Sequence, residues 1–450
     1  MKLSVIAKEL NAKFYGPDQE LAEIAIDSRK LTGGELFVAL KGEQHDGHDF
    51  IASALAKGAT AIMAQRAPIT EQEKQVSFIE VKDSTLALGE LAALHRRAFH
   101  LPMIGITGSC GKTTVKDMIS SICQQQGKTL QNKGNFNNHF GLPLTLLKLD
   151  ASYQYAVIEM GASAVGEIEY LGKIAKPDAA LITNVLPAHL QGFGTLDNVA
   201  KAKGEIYQAL SPNGIAILNM NDPYHTYWQK LIGQRKIITF GLTTDAMVHA
   251  TDIQLLPFSV QFRLHLNQSS YSVKINIPGK HTVMNALAAA AGGSALGIAN
   301  EKIVAGLEAF TGTPGRLRRY PGFQGAVIID DTYNANPGSV NAALEVLASC
   351  PGSRIFVMGD MAELGDNTIT YHASVGKSAQ QKGIDQLLAV GKLSEHAVAA
   401  FGKGAKLYAN KEALVADLKN QLKPEAVVLV KGSRSARMEE ITQALIVNKD

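Results

Sequence analysis

Seven consecutive residues, Thr107-Gly108-Ser109-Cys110-Gly111-Lys112-Thr113, are of the types that grip a phosphate chain. Glycines let backbone N–H groups turn toward anionic oxygens where a Cβ would stand in the way. Lys112 can neutralise terminal phosphates, and Thr113 offers a hydroxyl to Mg²⁺. The setting matters as much as the residues. Met103 to Thr107 reads as a buried strand, and beyond Lys112 the apolar residues Val115, Met118, Ile119, Ile122 and Cys123 recur at helical spacing. A strand, a glycine-rich turn and a helix N-terminus together bind nucleotide phosphates, because free N–H groups and the helix dipole both face the anion. The glycine spacing is irregular: Gly105 and Gly111 stand one residue further apart than in the general motif. An ordinary strand–helix turn is the alternative, and the agreement of strand, turn, Lys, Thr and helix argues against it.

Three more positions could serve that chemistry. Glu159 ends the apolar run Ala156-Val157-Ile158, and ligands of open α/β sheets sit at strand carboxyl ends. By residue type alone it fits a metal ligand or a solvated strand end equally well. His189 follows the next strand and Lys203 lies in the helical stretch from Val199 to Ile206. Taken singly, a surface histidine and a solvated helix face account for both.

The elements that must position these residues fall into three units. Residues 1–98 read as a small α/β unit, with strands at Leu36–Leu40 and Ala61–Ala64 and a helix from Ser84 to Arg97 whose apolar face is Leu86, Leu88, Leu91 and Leu94. Residues 99–312 read as a central P-loop unit with a mostly parallel sheet. Strands begin at Met103, Ala156, Ala180 and Ile215, helices lie between them, and an antiparallel hairpin turns at Asn267-Gln268-Ser269-Ser270. A helix from Thr282 to Leu296 closes this unit. Beyond a linker at Thr311 to Gly315, residues 313–450 alternate strand and helix as a Rossmann-like unit. The expected fold class is α/β throughout.

Bulk properties exclude several classes. The 450 residues carry 44 Lys and Arg against 41 Asp and Glu, a formal charge of +3, so nothing global asks for nucleic acid. Three cysteines without short-spaced pairs argue against a disulfide framework and fit a reducing compartment. Lys8 and Glu9 interrupt the N-terminal apolar run too early for a signal peptide, and no apolar stretch is long enough to span a membrane. A soluble cytoplasmic protein is expected, with a monomer as good a reading as any oligomer.

Taken together, these segments resemble the Mur ligase family over essentially the whole chain. Thr107 to Thr113 matches its Thr-Gly-x-x-Gly-Lys-Thr loop, which accounts for the glycine spacing. The resemblance implies ATP and Mg²⁺, with all seven loop residues at the nucleotide. It implies Thr113, Glu159 and His189 at the metal ions, joined by Lys203 if that lysine is carbamylated. Pro278-Gly279-Lys280-His281-Thr282-Val283-Met284-Asn285 resembles the segment at the adenine and ribose, giving roles to His281 and Asn285. The family commonly has Asn where Thr282 stands. Arg316 resembles its linker arginine, reaching the phosphates, and Asp331 the residue contacting ribose from the third domain. Lys112, Lys203, His189 and Arg316 are thereby the implied catalytic groups.

Three segments resemble the D-alanyl-D-alanine-adding branch of the family: Asp330 to Asn336, Val357 to Gly365 and Lys431 to Ser435. That branch implies UDP-N-acetylmuramoyl-tripeptide and D-alanyl-D-alanine as substrates, joined through an acyl phosphate. Ser28 and Arg29 resemble its uridine-nucleotide region, and Asn135 and Asn138 the stretch that meets the sugar-linked substrate. Two rivals remain from sequence: a folylpolyglutamate-type ligase, which should lack the uridine motifs, and a P-loop switch that hydrolyses ATP without an amine or carboxylate substrate.

Overall fold

The computed structural model describes residues 1–42, 44–187 and 190–447. Three sheets carry it. The first has five strands in the order Lys13–Tyr15, Ser77–Glu80, Ala61–Ala64, Leu36–Val38, Ile24–Ala25, parallel except for the first pair. Its helix Ser84–Arg97 is capped by Asp83, whose carboxylate accepts from Thr85 N and Leu86 N. Such a cap stabilises a helix by about 1 kcal/mol. Leu88 and Leu91 are buried as expected, but Leu86 is half exposed. Two residues from Leu88 means about 200° of helical rotation, which puts Leu86 on the opposite side. The inward face is completed by Ala87 and Ala92 instead.

The central sheet has nine strands. Seven are parallel, in the order Val248–Leu256, Lys236–Gly241, Ile215–Asn219, Ala179–Ile182, Met103–Thr107, Tyr155–Glu159, Thr129–Gln131. Ser259–Leu266 and Ser269–Ile275 extend it as an antiparallel hairpin. The turn is shorter than the sequence suggests. Only Asn267 and Gln268 lie outside the strands, both at positive φ (50° and 65°), and Ser269 pairs with Leu266. A two-residue turn with both φ positive matches the right-handed strand twist, which a four-residue loop need not do.

Sequence order around Met103–Thr107 is broken on both sides, so helices leave it toward opposite faces and a crevice opens at its carboxyl end. Helix Lys112–Gln124 buries Val115, Met118, Ile119, Ile122 and Cys123 on the sheet, as the spacing predicts. Helix Lys280–Ala295 lies against it, buried from Ala286 through Gly293 because small side chains allow close helix–sheet approach.

The third sheet has six strands, Arg318–Pro321, Val327–Asp331, Ala426–Lys431, Ser353–Gly359, Gln386–Val390, Ala405–Tyr408, with only the first antiparallel to its neighbour. Two of its contacts with the central unit lie at the ends of elements. One contact is the linker, where Thr313 Oγ1 donates to Asp117 Oδ2 at 2.6 Å. The other is the tip between Val248–Leu256 and Ser259–Leu266. There Phe258 packs on the third core, the Arg319 guanidinium covers its ring at 4.6 Å, and the Cys350 thiol donates to Pro257 O.

Candidate functional site

The loop after Met103–Thr107 is wound into a cradle. Gly108 has φ 142° and Gly111 φ 82°, both in the region that favours glycine. A Cβ on Gly108 would fall 2.0 Å from Thr183 Oγ1, and one on Gly111 would fall 2.7 Å from Asn285 Oδ1. The strand-end neighbours hold the loop from the side. Thr183 Oγ1 and Asn184 Nδ2 donate to Cys110 O, Cys110 N donates to Asn184 Oδ1, and Ser109 N to Asn184 O. Within the cradle, Lys112 Nζ donates to Gly108 O at 2.8 Å and Ser109 O at 3.2 Å. Burial presses this ammonium toward its neutral form, with Glu159 and Cys110 opposing and Arg316 adding to the push. An arriving polyanion relieves that strain.

Glu159 ends the neighbouring strand and is 2 % exposed. Its backbone is clamped by Asn132, which accepts from Glu159 N at 2.7 Å and donates to Glu159 O. Asn137 Nδ2 donates to Oε1 at 2.7 Å, while Oε2 is buried with no partner. A buried carboxylate oxygen without a donor is costly unless a cation or donor completes it. Thr113 Oγ1, in the first turn of the loop helix, accepts from Arg316 Nη2 at 3.1 Å. Hard oxygen donors of this kind suit Mg²⁺, which takes one or two carboxylates and fills its shell with phosphate and water. No group of three or more His, Cys, Asp or Glu side chains suited to a metal exists among the described residues.

The third unit supplies the opposite wall. Arg316 lies over the Tyr333 ring at 4.2 Å, and its Nε is buried without a partner. Asn336 Nδ2 donates to Cys110 Sγ at 3.4 Å, so the third unit already touches the loop. Asp331 is 8 % exposed, and Lys431 Nζ donates to its Oδ2 at 2.5 Å. His281 lies at the start of helix Lys280–Ala295, its imidazole pushed down to about 4 by burial and by Lys431. It is therefore neutral at pH 7. Because the unfolded chain, near 6.5, binds that proton more readily than the folded one, stability is full above pH 6.5 and is lost as pH falls toward 4. Urea midpoints measured from pH 7.5 to 4.5 should fall less steeply for His281→Gln than for the unaltered chain; parallel slopes would refute the assignment.

These walls enclose a cleft of about 2010 Å³ lined by all three units, from Leu86 and Asn138 through Lys112 and Glu159 to Arg316 and Asp331. That is roughly twice the largest usual small-ligand pocket. It has room for more than one substrate. Family models match the chain in three blocks: residues 20–96 to the "Mur ligase family, catalytic domain", 106–293 to the "Mur ligase middle domain" and 315–434 to the "Mur ligase, glutamate ligase domain". The UDP-N-acetylmuramoyl-tripeptide--D-alanyl-D-alanine ligase of Escherichia coli (strain K12) is 44% identical over 449 residues, 99% of this chain and 98% of that one. The chain belongs to the Mur ligase family. Among solved structures, MurF from Acinetobacter baumannii is 37% identical with a TM-score of 0.91, covering 98% of this chain and 97% of its own. The MurF ligase of Thermotoga maritima in complex with ADP is 30% identical with a TM-score of 0.84, over 94% and 96%.

In this Mur ligase, Ser109 to Thr113, Glu159, Asn135, Asn138, His281, Asn285, Arg316 and Asp331 line one cleft. Thr107 sits beneath it, fully buried, donating through Oγ1 to Met160 O, and Gly108 lies against Thr183 in the same loop. Asn138 Oδ1 accepts from Gly141 N at 2.9 Å, where the helix Gly141–Leu146 begins. Lys203 lies behind the wall, 3 % exposed, donating to Ala162 O at 3.3 Å and facing the Phe193 ring at 5.2 Å. Burial first, then Lys112, lowers its amine to about 7. Ser28 is buried and Arg29 forms a two-pronged pair with Asp27, at 2.9 and 3.0 Å; neither lines the cleft. His189 lies outside the described residues. Sequence reasoning gave no role to Asn132, Asn137 or Lys431. Asn137 and Lys431 lay within stretches already singled out, but a side chain's choice of partner leaves no periodic trace.

Proposed function

We propose that the chain joins D-alanyl-D-alanine to the free carboxyl end of UDP-N-acetylmuramoyl-tripeptide, consuming ATP and releasing the UDP-linked pentapeptide, ADP and phosphate. This is peptidoglycan precursor synthesis in the cytoplasm; no helix among the described residues is long and apolar enough to cross a membrane. One observation carries the reading: Lys112, the unpartnered Glu159 oxygen and Arg316 converge on one cleft lined by all three units. The relatives' names supply the substrates.

A carboxylate is a poor acyl donor because its leaving group would be oxide. In the first step the P–O bond to ADP breaks while a carboxylate oxygen of the tripeptide bonds to the γ-phosphorus, giving an acyl phosphate. The lone pair of the D-alanyl-D-alanine amine then adds to the carbonyl. The tetrahedral oxyanion expels inorganic phosphate, and the amine nitrogen loses a proton to complete the amide. In both steps charge develops on oxygen, so fixed cations matter most. Lys112 exchanges its loop carbonyls for β- and γ-phosphate oxygens. Arg316 faces the transferred group. Thr113, Glu159, His189 and a carbamylated Lys203 would hold Mg²⁺, which when bound neutralises phosphate charge. His281, Asn285 and Asp331 serve the nucleoside, Ser28 and Arg29 the uridine end, Asn135 and Asn138 the sugar-linked peptide.

Carbamylation needs a neutral amine to attack CO₂, and an amine near 7 supplies one at physiological pH. Equilibration with ¹³C-bicarbonate at pH 8 should give a carbamate carbon signal in the unaltered protein and none in Lys203→Arg. The same spectrum for both would end the assignment. The ligase reading itself is tested by phosphate release with UDP-muramoyl-tripeptide, with and without D-alanyl-D-alanine. Strict dependence on both substrates is expected. Turnover of ATP with neither would indicate a switch.

A further inference from the structure

The residue after the linker arginine is held in an unfavourable backbone state. Leu317 has φ 54°, a left-handed conformation that a branched L-residue avoids. Its side chain is buried in the third core, so glycine could not replace it without a loss of packing. Such a conformation persists where surrounding bonds impose it.

The imposing bonds form a short relay. Leu317 N donates to Asp331 Oδ1 at 3.2 Å. The other oxygen of that carboxylate accepts from Lys431 Nζ at 2.5 Å. Asp331 and Lys431 end adjacent parallel strands and stand directly opposite each other in register. Lys431 is 3 % exposed, and its ammonium also donates to Asn334 O at 3.0 Å. A second bond fixes the other flank of the arginine, from Tyr333 N to Gly315 O at 3.0 Å. Arg316 is thus pinned before and behind, with its ring support Tyr333 on the same strand-end segment.

We infer that Lys431 is a positioning residue for Arg316, acting through the Asp331 carboxylate and the Leu317 backbone to aim the guanidinium at Thr113 and the phosphate loop. The inference rests on the ligase reading, which makes Arg316 the cation that meets the transferred phosphoryl group. A methionine at 431 keeps most of the unbranched apolar stem and removes the ammonium. The carboxylate then loses its partner, Leu317 relaxes toward ordinary φ, and the guanidinium shifts. A misplacement of about 1 Å near the reacting atoms costs on the order of 100-fold in rate.

The experiment is a double-mutant cycle in full-length protein, with phosphate release as readout and thermal unfolding as a control. Lys431→Met should lower kcat about 100-fold with KM for ATP within about threefold of the unaltered value. Arg316→Ala/Lys431→Met should be no slower than Arg316→Ala alone, because an arginine that is absent cannot be misaimed. Losses that multiply, or a rise in KM for ATP with kcat unchanged, would overturn the inference, the latter marking Lys431 as a direct nucleotide contact. If Lys431→Met does not fold, Lys431→Gln, which keeps a polar head without the charge, puts the same question, with the same kcat-selective, non-additive loss expected. Unaltered protein that releases no phosphate with both substrates would defeat the ligase reading instead.

Discussion

Arg316→Ala is expected to lower kcat for phosphate release about 1,000-fold or more, the range of a cation that meets a transferring phosphoryl group. The fold should tolerate the change, because the side chain projects from the linker into the cleft and its Nε has no partner to lose. Its planar head rests on Tyr333 and donates to Thr113 Oγ1 at once, a geometry that lysine, with a compact ammonium and no flat face, cannot copy. Arg316→Lys should therefore recover little. KM for ATP should move far less than kcat, since the interaction strengthens only as charge builds in the transition state. Steady-state kinetics in both substrates decide this. A variant that loses ATP affinity and keeps kcat would show that the arginine serves ground-state binding only.

Lys112→Ala should reduce kcat/KM on the order of 100- to 1,000-fold, as removal of a preorganised charge donor from a dry site does. The loop would survive, because Gly108, Gly111, Thr183 and Asn184 define its path without the lysine. Two loop carbonyls, of Gly108 and Ser109, lose a donor and turn to water. Both ATP affinity and turnover should suffer, in contrast to Arg316→Ala. Turnover within fivefold of the unaltered protein would remove Lys112 from the phosphate site.

Much of this was legible in the residues. Val115, Met118, Ile119, Ile122 and Cys123 announced a helix, and it forms with that face buried. Phe262, Leu264 and Leu266 alternate with polar residues, the pattern of a strand with one buried face, and all three face the core. Short edge strands such as Lys13–Tyr15, Thr129–Gln131 and Arg318–Pro321 could not be read, because three or four residues carry too little alternation to reveal a period. The side of a helix was misjudged at Leu86, where residue type suggested burial and angular position decided otherwise. Within the cleft, residues on regular elements or in the loop could be anticipated: Lys112, Thr113, Glu159. Their supports could not. Asn132 and Asn137 stabilise Glu159 across more than twenty residues of chain, and Lys431 meets Asp331 across a hundred. Such pairings exist only once strand order is known.

Two attachments between the central and third units have a mechanical result. The linker, tied by Thr313 to Asp117, and the Pro257–Phe258 tip, seated on the third core, are separate points along the same boundary. A body suspended at one point can swing in any direction; suspended at two, it keeps a single rotational freedom about the line that joins them. Asn336, donating to Cys110 Sγ, adds a third tie at the phosphate loop, so the third unit is held against the central one at three separate places.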